Sequence, residues 1–331
     1  MVPFVTVAMP CLNEESYLEA CLLSAFAQDY AADRFEILVA DGGSTDRTRA
    51  ILAEFAAREP RLRVIDNPKR LQAPALNAIV KAARGDVLVR MDVHCDYAPD
   101  YLRRCVEALE KTGAMNVGGA QRAKARSSFQ RALTAALQSP LAVGGAKYRD
   151  ANAEGFVDTV FLGTFRVSDL ASLGGWDEQA ATNEDAELNQ RILAAGGRIY
   201  LSRSIVVHYY PRDSFAALYT QYHRCGLGRA RTTVKHRGLP NLRPLAPFFL
   251  VCTAAFTAAM TALVPAFRPL FLLGFAAYSL ACVLEACRVA RGLTLRETLS
   301  CAACFPTLHA AHGLGFAAGL FRIFVTRKSV F

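Results

Sequence analysis

Charge is scarce in the last part of this 331-residue chain. Of its 38 basic and 29 acidic residues, seven and two respectively lie in residues 244–331. Hydrophobic residues make up 53% of the chain even before glycine is counted, which excludes a disordered protein and is unusual for a fully soluble one. The sequence therefore predicts a water-soluble globular part followed by a membrane-associated part, about two domains in all.

Two common nucleotide-binding motifs are missing. No G-x-G-x-x-G follows the first apolar run, and no G-x-x-x-x-G-K-[ST] occurs in the chain. These absences argue against dinucleotide-dependent dehydrogenases and P-loop NTPases. The N-terminus also lacks the pattern of a signal peptide, because Pro3 and Pro10 interrupt its apolar run. We therefore expect the soluble part to stay in the cytoplasm.

The ten cysteines lack the spacing of a metal or redox site. Cys301 and Cys304 form a single C-x-x-C inside an apolar stretch, with no second pair to complete a zinc site. We expect Cys301 and Cys304 to be small hydrophobic residues of the interior.

Strands and helices alternate through the first 118 residues. Strands are predicted at 4–9, 35–40, 62–65, 86–91 and 114–118, with helical patterns between them. This alternation indicates an α/β fold with a mostly parallel sheet. Ligands of such sheets bind at the carboxyl ends of the strands, which here carry loops 10–14, 41–46 and 92–96.

The loop after the second predicted strand has two interpretations. Ser44 or Thr45 can cap a helix that starts near residue 45, with Asp46 in its first turn. Alternatively, Asp41 is a free carboxylate that accepts hydrogen bonds from a nucleotide. The loop alone does not separate these two interpretations.

Asp92 and His94 follow an apolar strand and are separated by one residue. In an extended segment their side chains project to one side, so both can reach one ion. A carboxylate and an imidazole suit Mn²⁺ somewhat better than Mg²⁺. The alternative is a solvated loop.

An acidic pair precedes a helical pattern at 185–195. Asn183, Glu184 and Asp185 either cap this helix or provide a general base.

Taken in order, these motifs resemble a family 2 glycosyltransferase of the glycosyltransferase-A fold. The resemblance covers about residues 4–230 and is strongest to bacterial enzymes of the succinoglycan exopolysaccharide type. Its parts are P-x-x-N-E at 10–14, D-G-G-S-T-D at 41–46, Asn77 before A-R-G-D, D-V-H at 92–94, G-G-W-D at 174–177, Glu184-Asp185, Gln221-x-x-Arg224 and Y-Y-P-R-D-S at 209–214.

The resemblance implies a role for each site residue. Nucleotide-sugar contacts would come from Pro10, Asn13, Glu14, Asp41, Ser44, Asp92, Gln221 and Arg224. A divalent cation, Mn²⁺ or Mg²⁺, would be held by Asp92 and His94. Asp185 would be the catalytic base with Glu184 beside it, and the reaction would invert the anomeric carbon.

Two positions depart from the family pattern. His94 replaces the second aspartate of D-x-D, and Cys225 stands where processive synthases have the tryptophan of Q-x-x-R-W. The second departure argues against a processive enzyme. His208, which follows a predicted strand, is either a further metal ligand or a structural residue.

The tail contains three uncharged stretches. Membrane helices are predicted at about 245–267, 269–287 and 299–321, after a basic linker that begins at residue 231. The positive-inside rule makes the first two a hairpin with both ends in the cytoplasm. The third conflicts with the rule, because spanning would place Arg322, Arg327 and Lys328 outside. It either lies in the interface, re-enters the membrane or breaks the rule.

The predicted protein is thus a multi-pass protein of the cytoplasmic (inner) membrane. Residues 1–230 form its catalytic domain and face the cytoplasm. The resemblance implies transfer of a hexose, with glucose as the first candidate, from a UDP-sugar to a polyprenyl-diphosphate-linked sugar. Alternatives are transfer to polyprenyl phosphate itself and a non-catalytic membrane scaffold.

Residues 121–149 include six basic residues and no acidic residue. This stretch is a solvated face, a face that rests on anionic lipid, or a cradle for an anionic acceptor. No nucleic-acid-binding motif accompanies the charge, so nucleic acid is not expected as a partner.

Overall fold

A computed structural model describes residues 2–238 and 242–326. The chain divides into two compact units, Met1–Arg122 with Lys147–Tyr209, and Ala123–Ala146 with Tyr210–Phe331. Our domain prediction placed the boundary at residue 230. The last boundary between the two units falls after residue 209, because the helix that follows belongs to the same unit as the apolar helices. The assignment of catalysis to 1–230 remains a prediction.

Strands dominate the first part of the chain, and helices the last part. The strands are β1 Val5–Cys11, β2 Phe35–Asp41, β3 Leu62–Asp66, β4 Val87–Arg90, β5 Cys95–Tyr97, β6 Asn116–Gly119, β7 Arg122–Ala123, β8 Gly155–Val157, β9 Phe161–Arg166, β10 Ile199–Leu201 and β11 Val207–Tyr209. The helices are α1 Leu18–Phe26, α2 Thr48–Arg58, α3 Gln72–Ala82, α4 Tyr101–Thr112, α5 Ser128–Leu137, α6 Pro140–Val143, α7 Val167–Ser172, α8 Glu184–Ala194, α9 Phe215–Lys235, α10 Ala246–Leu263, α11 Arg268–Val289 and α12 Leu295–Phe321.

The first unit is built on an eight-stranded sheet in the order β3-β2-β1-β4-β9-β6-β10-β8. Neighbours from β3 to β4 run parallel, whereas β9 is antiparallel to both β4 and β6. The predicted mostly parallel α/β sheet is therefore confirmed. The carboxyl ends of β1, β2 and β4 meet at one edge, which places loops 10–14, 41–46 and 92–96 next to one another.

The central strands are buried on both faces. Val7 packs in one apolar cluster with α1 and α4, while its neighbour Ala8 packs in another with α3 and α8. Alternate residues of a strand point to opposite faces, so helices on both sides produce the continuous apolar runs seen in the sequence.

The second unit contains the apolar helices. Three segments are long and apolar enough to cross a membrane, Arg243–Leu263, Pro265–Val289 and Leu295–Thr326. They correspond to the three predicted membrane helices. Arg327 and Lys328, whose charges conflict with a spanning third helix under the positive-inside rule, lie outside the described residues.

Helix α12 is the centre of this unit. A Cβ atom at Gly315 or Gly319 would collide with α9, so these two glycines allow the helices to pack closely. A second partner of α12 is α10, where Phe248 and Phe316 lie 5.1 Å apart between ring centroids. His309, also on α12, lies 2.7 Å from the Tyr278 hydroxyl and 2.8 Å from the Leu141 carbonyl oxygen.

Candidate active site

The loops after β1 and β2 are joined by reciprocal hydrogen bonds. The Asn13 N–H donates to Ser44 Oγ at 2.8 Å, and the Thr45 N–H donates to Asn13 Oδ1 at 2.8 Å. Asn13 has a φ of 55°, a left-handed conformation that asparagine tolerates better than most residues. These hydrogen bonds join the two strand ends into one surface. Pro10 lies in β1, directly before this loop.

Asp41 is almost completely buried beneath this surface. Its carboxylate accepts hydrogen bonds from Ser44 Oγ at 2.5 Å and from Arg49 Nε at 2.7 Å. Burial favours the neutral acid, but the hydrogen bonds from Ser44 and Arg49 outweigh it and lower the pKa of Asp41. Asp41 is therefore a fixed, ionised group at the end of β2.

The prediction that Ser44 or Thr45 caps α2 is wrong, but Asp46 does bind the start of this helix, because its Oδ1 accepts from the Thr48 N–H at 3.0 Å. Helix α2 begins at Thr48, three residues later than predicted, and its N-cap is Arg47. The Ser44 oxygen accepts from the Asn13 N–H and its proton is donated to Asp41, so both hydrogen bonds of this hydroxyl are made within the strand-end loops.

Asp92 follows β4 and is paired with an arginine of that strand. Arg90 donates to both carboxylate oxygens, from Nε at 2.9 Å and from Nη2 at 3.2 Å. Burial would raise the pKa of Asp92, but the charge and hydrogen bonds of Arg90 lower it. His94 is about half exposed, and its Nδ1 lies 3.1 Å from Glu14 Oε1.

These residues fit a divalent cation that also binds phosphate oxygens. The described residues contain no group of three or more His, Cys, Asp or Glu side chains that would hold an ion alone. Asp92 and His94 supply one carboxylate and one imidazole, and each carboxylate oxygen of Asp92 retains a second lone pair. Mg²⁺ and ions like it are commonly held by one or two carboxylates together with substrate phosphates.

Arg90 is the site residue that sequence reasoning missed. It is 3% exposed, and its Nη1 lies 2.5 Å from Asp185 Oδ2. The same nitrogen lies 3.6 Å from Glu184 Oε1. A signal was present in the sequence, because an arginine inside the apolar strand 86–91 must have acidic partners once it is buried.

The two acids at the start of α8 differ in environment. The Asp185 side chain is 37% exposed, and the Trp176 indole N–H donates to its Oδ1 at 3.0 Å. Glu184 is buried, and burial, reinforced by the charge of Asp185, raises its pKa to about 7. Asn183 is the N-cap residue of α8, but its side chain makes no capping hydrogen bond, so the capping interpretation is wrong for this side chain.

Asn77 positions the segment that carries Trp176. Its side-chain amide donates to the Trp176 carbonyl oxygen and accepts from the Trp176 N–H, both at 2.8 Å. A Cβ at Gly175 would collide with the Asn77 side chain, and Gly175 has a φ of 70°. The G-G-W-D segment therefore serves to hold the indole against Asp185.

Other candidate residues lie elsewhere in the fold. Gln221 and Arg224 are on α9 of the second unit, and their contact with a donor remains a prediction. His208 lies on β11, in register with Asp96 of β5 next to the Asp92 loop. Its role as a metal ligand also remains a prediction.

Part of the basic stretch 121–149 is structural. Arg122 donates to the backbone carbonyl oxygens of Ile205 and Arg203, both at 2.9 Å. Arg131 forms an ion pair with Glu297 at the start of α12. These two cations stabilise their own units, so any acceptor cradle would have to use the remaining cations of the stretch.

The chain is 38% identical over 243 residues to the succinoglycan biosynthesis protein ExoA of Rhizobium meliloti (strain 1021), an alignment that covers 73% of each chain. It belongs to glycosyl transferase family 2. Residues 6–169 match that family directly. A second relative, from Methanococcus voltae, is 28% identical over 253 residues and covers 74% of this chain and 78% of its own. It is a dolichyl N-acetyl-alpha-D-glucosaminyl phosphate 3-beta-D-2,3-diacetamido-2,3-dideoxy-beta-D-glucuronosyltransferase.

Solved glycosyltransferases share the fold of this family 2 member. Mannosyltransferase PcManGT from Pyrobaculum calidifontis, in complex with GDP-Man and Mn²⁺, superposes with a TM-score of 0.67 at 22% identity. The match covers 97% of this chain and 88% of that one. S. aureus TarS 1–349 with UDP-GlcNAc gives a TM-score of 0.53 at 14% identity, covering 97% and 91%. The protein is therefore a glycosyltransferase of the glycosyltransferase-A fold with a helical, apolar C-terminal region.

Proposed function

We propose that this enzyme transfers a hexose, with glucose as the first candidate, from a UDP-sugar to a polyprenyl-diphosphate-linked sugar during exopolysaccharide assembly. The transfer inverts the configuration of the anomeric carbon. The observation that carries this proposal is the buried Arg90, which contacts both Asp92 and Asp185. This contact holds a candidate cation ligand close to a candidate base. An inverting transferase needs a base and a stabilised leaving group on either side of the transferred sugar.

Asp185 is the better base of the acidic pair. Its two oxygens are oriented by Trp176 and Arg90, yet over a third of the side chain remains exposed to an incoming acceptor. The carboxylate would take the proton of the acceptor hydroxyl as the new C–O bond forms and the bond from sugar to diphosphate breaks. The Glu184 side chain is only 9% exposed, so Asp185 is the more accessible of the two acids.

The donor would bind at the edge formed by the loops after β1, β2 and β4. Asp92 and His94 would hold the cation, which stabilises the negative charge of the departing diphosphate. The nucleotide would contact Asp41, Ser44 and the loop of Asn13. The diphosphate would be bound by Gln221 and Arg224. The nucleotide-sugar complexes of fold neighbours support this class of donor.

The acceptor proposal rests on the relatives. One is named for succinoglycan biosynthesis, and the other for transfer to a dolichyl-phosphate-linked sugar. A lipid-linked sugar also agrees with three helices apolar enough to enter a membrane.

We further propose that α10 and α11 form a membrane hairpin, that α12 lies at the cytoplasmic interface, and that the catalytic unit faces the cytoplasm. If α12 crossed the bilayer alongside α10, the first turns of the two helices would lie level. Instead, Gly313 and Phe316 contact residues 247–251 at the start of α10. Gly313 is 18 residues beyond the start of α12, about 27 Å along a helix.

The partner of α12 supports the same arrangement. Residues 312–319 pack closely against α9, which also carries Arg229 and Arg231. Arginines are costly at the centre of a bilayer, so α9 belongs at the interface and α12 with it.

A product analysis tests the proposed reaction. Membranes containing the enzyme would be incubated with radiolabelled UDP-glucose, UDP-galactose, UDP-GlcNAc and GDP-mannose, and labelled lipid would be identified by mass spectrometry. We expect transfer from UDP-glucose onto a polyprenyl-diphosphate-linked sugar, and none in membranes carrying Asp185→Asn. Label on polyprenyl phosphate itself, or exclusive use of another donor, would contradict the proposal.

A further inference from the structure

Glu14 and His94 belong to different loops but contact each other through their side chains. Glu14 Oε1 lies 3.1 Å from His94 Nδ1, although the residues are 80 positions apart in the chain. The Glu14 side chain is 20% exposed and His94 is 46% exposed. One ring nitrogen is thus engaged with a carboxylate while the ring remains accessible.

This contact fixes the tautomer of the imidazole. An ionised carboxylate only accepts hydrogen bonds, so the proton between the two groups belongs to Nδ1. In a neutral histidine, a proton on Nδ1 leaves the lone pair on Nε2. Metal ions bind that lone pair, and metal-binding histidines commonly donate their other N–H to a carboxylate in this way.

We infer that Glu14 is a positioning residue of the cation site, which orients His94 and presents its Nε2 as the metal donor. This inference rests on the proposed function, because the site residues Asp92 and His94 are part of it. It changes the role expected for Glu14, which the family resemblance assigned to the nucleotide pocket. A carboxylate behind the ring also raises the basicity of the ligand and hence the metal affinity.

The backbone around Glu14 is well suited to this role. Its N–H donates to Thr48 Oγ1 at 2.8 Å, and its carbonyl oxygen accepts from Leu18 N at 2.9 Å and from Tyr17 N at 3.0 Å. The carboxylate therefore projects from a fixed point toward the Asp92 loop. The neighbouring Glu15 has a different function, because its Oε2 accepts from the Arg47 N–H at 3.0 Å.

Mn²⁺ binding tests the inference without any turnover. The loss of the free Mn²⁺ electron paramagnetic resonance signal would be measured with purified full-length protein, with and without UDP. We expect Glu14→Ala to weaken Mn²⁺ binding roughly 10–100-fold, the usual effect of removing such a partner. Glu14→Gln retains an oxygen that can accept from Nδ1, so it should lose less. Glu15→Ala is the matched control and should bind Mn²⁺ as the unaltered protein does.

A double-mutant cycle with His94→Asp identifies the residue through which Glu14 acts. If Glu14 works by orienting the imidazole, Glu14→Ala should have no more than about a two-fold effect on Mn²⁺ binding once His94 is replaced. UDP affinity in the absence of metal should be the same for Glu14→Ala and the unaltered protein.

Each other outcome has a distinct meaning. If Glu14→Ala binds Mn²⁺ as tightly as the unaltered protein does, the inference is wrong and the cation site stands. The same holds if Glu14→Ala weakens Mn²⁺ binding equally with and without the His94→Asp substitution. If it lowers metal-free UDP affinity instead, Glu14 is a nucleotide contact as the resemblance implied. If the unaltered protein binds no Mn²⁺ even with UDP, the cation site of the proposed function fails, and the inference fails with it.

Discussion

Arg90 Nη1 lies 2.5 Å from Asp185 Oδ2, which joins the end of strand β4 to the first turn of α8. The other two nitrogens of the same guanidinium, Nε and Nη2, each donate to one oxygen of Asp92 in a bidentate arrangement. Burial disfavours a charged guanidinium, but the three nearby carboxylates outweigh it and raise the pKa of Arg90 well above its ordinary value. One buried cation therefore sets the spacing between two functional carboxylates.

The first prediction concerns Arg90. Arg90→Met should destabilise the protein by about 3–5 kcal/mol, because it leaves buried carboxylates without a counter-charge. Arg90→Lys keeps the charge but not the planar fork that contacts Asp92 and Asp185 together. It should lower kcat at least ten-fold while the donor KM changes less. Thermal unfolding and initial rates with the donor that the product analysis identifies would measure these effects.

Arg104→Lys is the matched control for that prediction. Arg104 also pairs with two carboxylates, Asp100 and Glu107, but on the exposed face of α4. Surface pairs contribute little to stability, so this substitution should change neither the unfolding midpoint nor kcat. Equal effects of the two Arg→Lys substitutions would show that the Arg90 contact has no special role.

The second prediction separates the two acids Asp185 and Asp41. Asp185→Asn keeps the shape of the side chain but cannot accept a proton, so kcat should fall by roughly 10²–10⁴ with little change in donor KM. Asp41→Asn should raise the donor KM more than it lowers kcat, because Asp41 is assigned to the nucleotide. If Asp185→Asn kept kcat within about three-fold, below the range of a general base, Asp185 would be abandoned as the base.

A third prediction follows from the pKa of Glu184. This pKa is about 7 in the folded protein, against 4.5 for an ordinary glutamate. Between those pH values the folded state binds more protons than the unfolded state, so this group makes stability fall as pH rises. Glu184→Gln should unfold at a higher temperature than the unaltered protein at pH 8 and at a similar temperature at pH 5. The exposed substitution Glu19→Gln should shift neither midpoint, and a Glu184→Gln protein that is less stable at pH 8 would refute the prediction.

The fourth prediction is the metal requirement. A chelator should abolish transfer, Mn²⁺ or Mg²⁺ should restore it, and Asp92→Ala should lose nearly all activity. His94→Asp should remain active but shift its preference toward Mg²⁺, because the protein ligands are then all oxygen. Activity that survives exhaustive chelation would remove the cation from the proposed mechanism.

Much of this site was predictable because its residues are close in sequence to strand ends. Asp41 and Asp92 follow apolar runs, and parallel strands bring their carboxyl ends to one edge. Arg90 could be placed on a strand but not in the site, since its partner Asp185 is 95 residues away. The start of α2 was misplaced because the Ser44 hydroxyl oxygen accepts from the Asn13 N–H of the neighbouring loop, not from the helix terminus, while its proton is donated to Asp41. Sequence patterns report local preference, whereas such choices depend on tertiary contacts.

The last prediction concerns membrane topology. Single cysteines would be introduced as Ala266→Cys, Arg291→Cys and Thr326→Cys in a protein whose exposed Cys252 and Cys287 are replaced by serine. A membrane-impermeant maleimide added to intact spheroplasts should label position 266, which lies in the turn between α10 and α11. Position 291, between α11 and α12, should react only after permeabilisation.

Thr326→Cys is the variant that decides the position of α12. If α12 lies at the cytoplasmic interface, as its contacts with the start of α10 and with α9 favour, position 326 should also be protected until the cells are opened. Labelling of 326 from outside would mean that α12 spans the bilayer. It would then have to carry the arginine-bearing helix α9 toward the hydrocarbon, at a cost that nearby acidic groups or water would have to offset. Protection of all three positions in intact cells would instead refute the hairpin of α10 and α11, provided that permeabilised cells label each one.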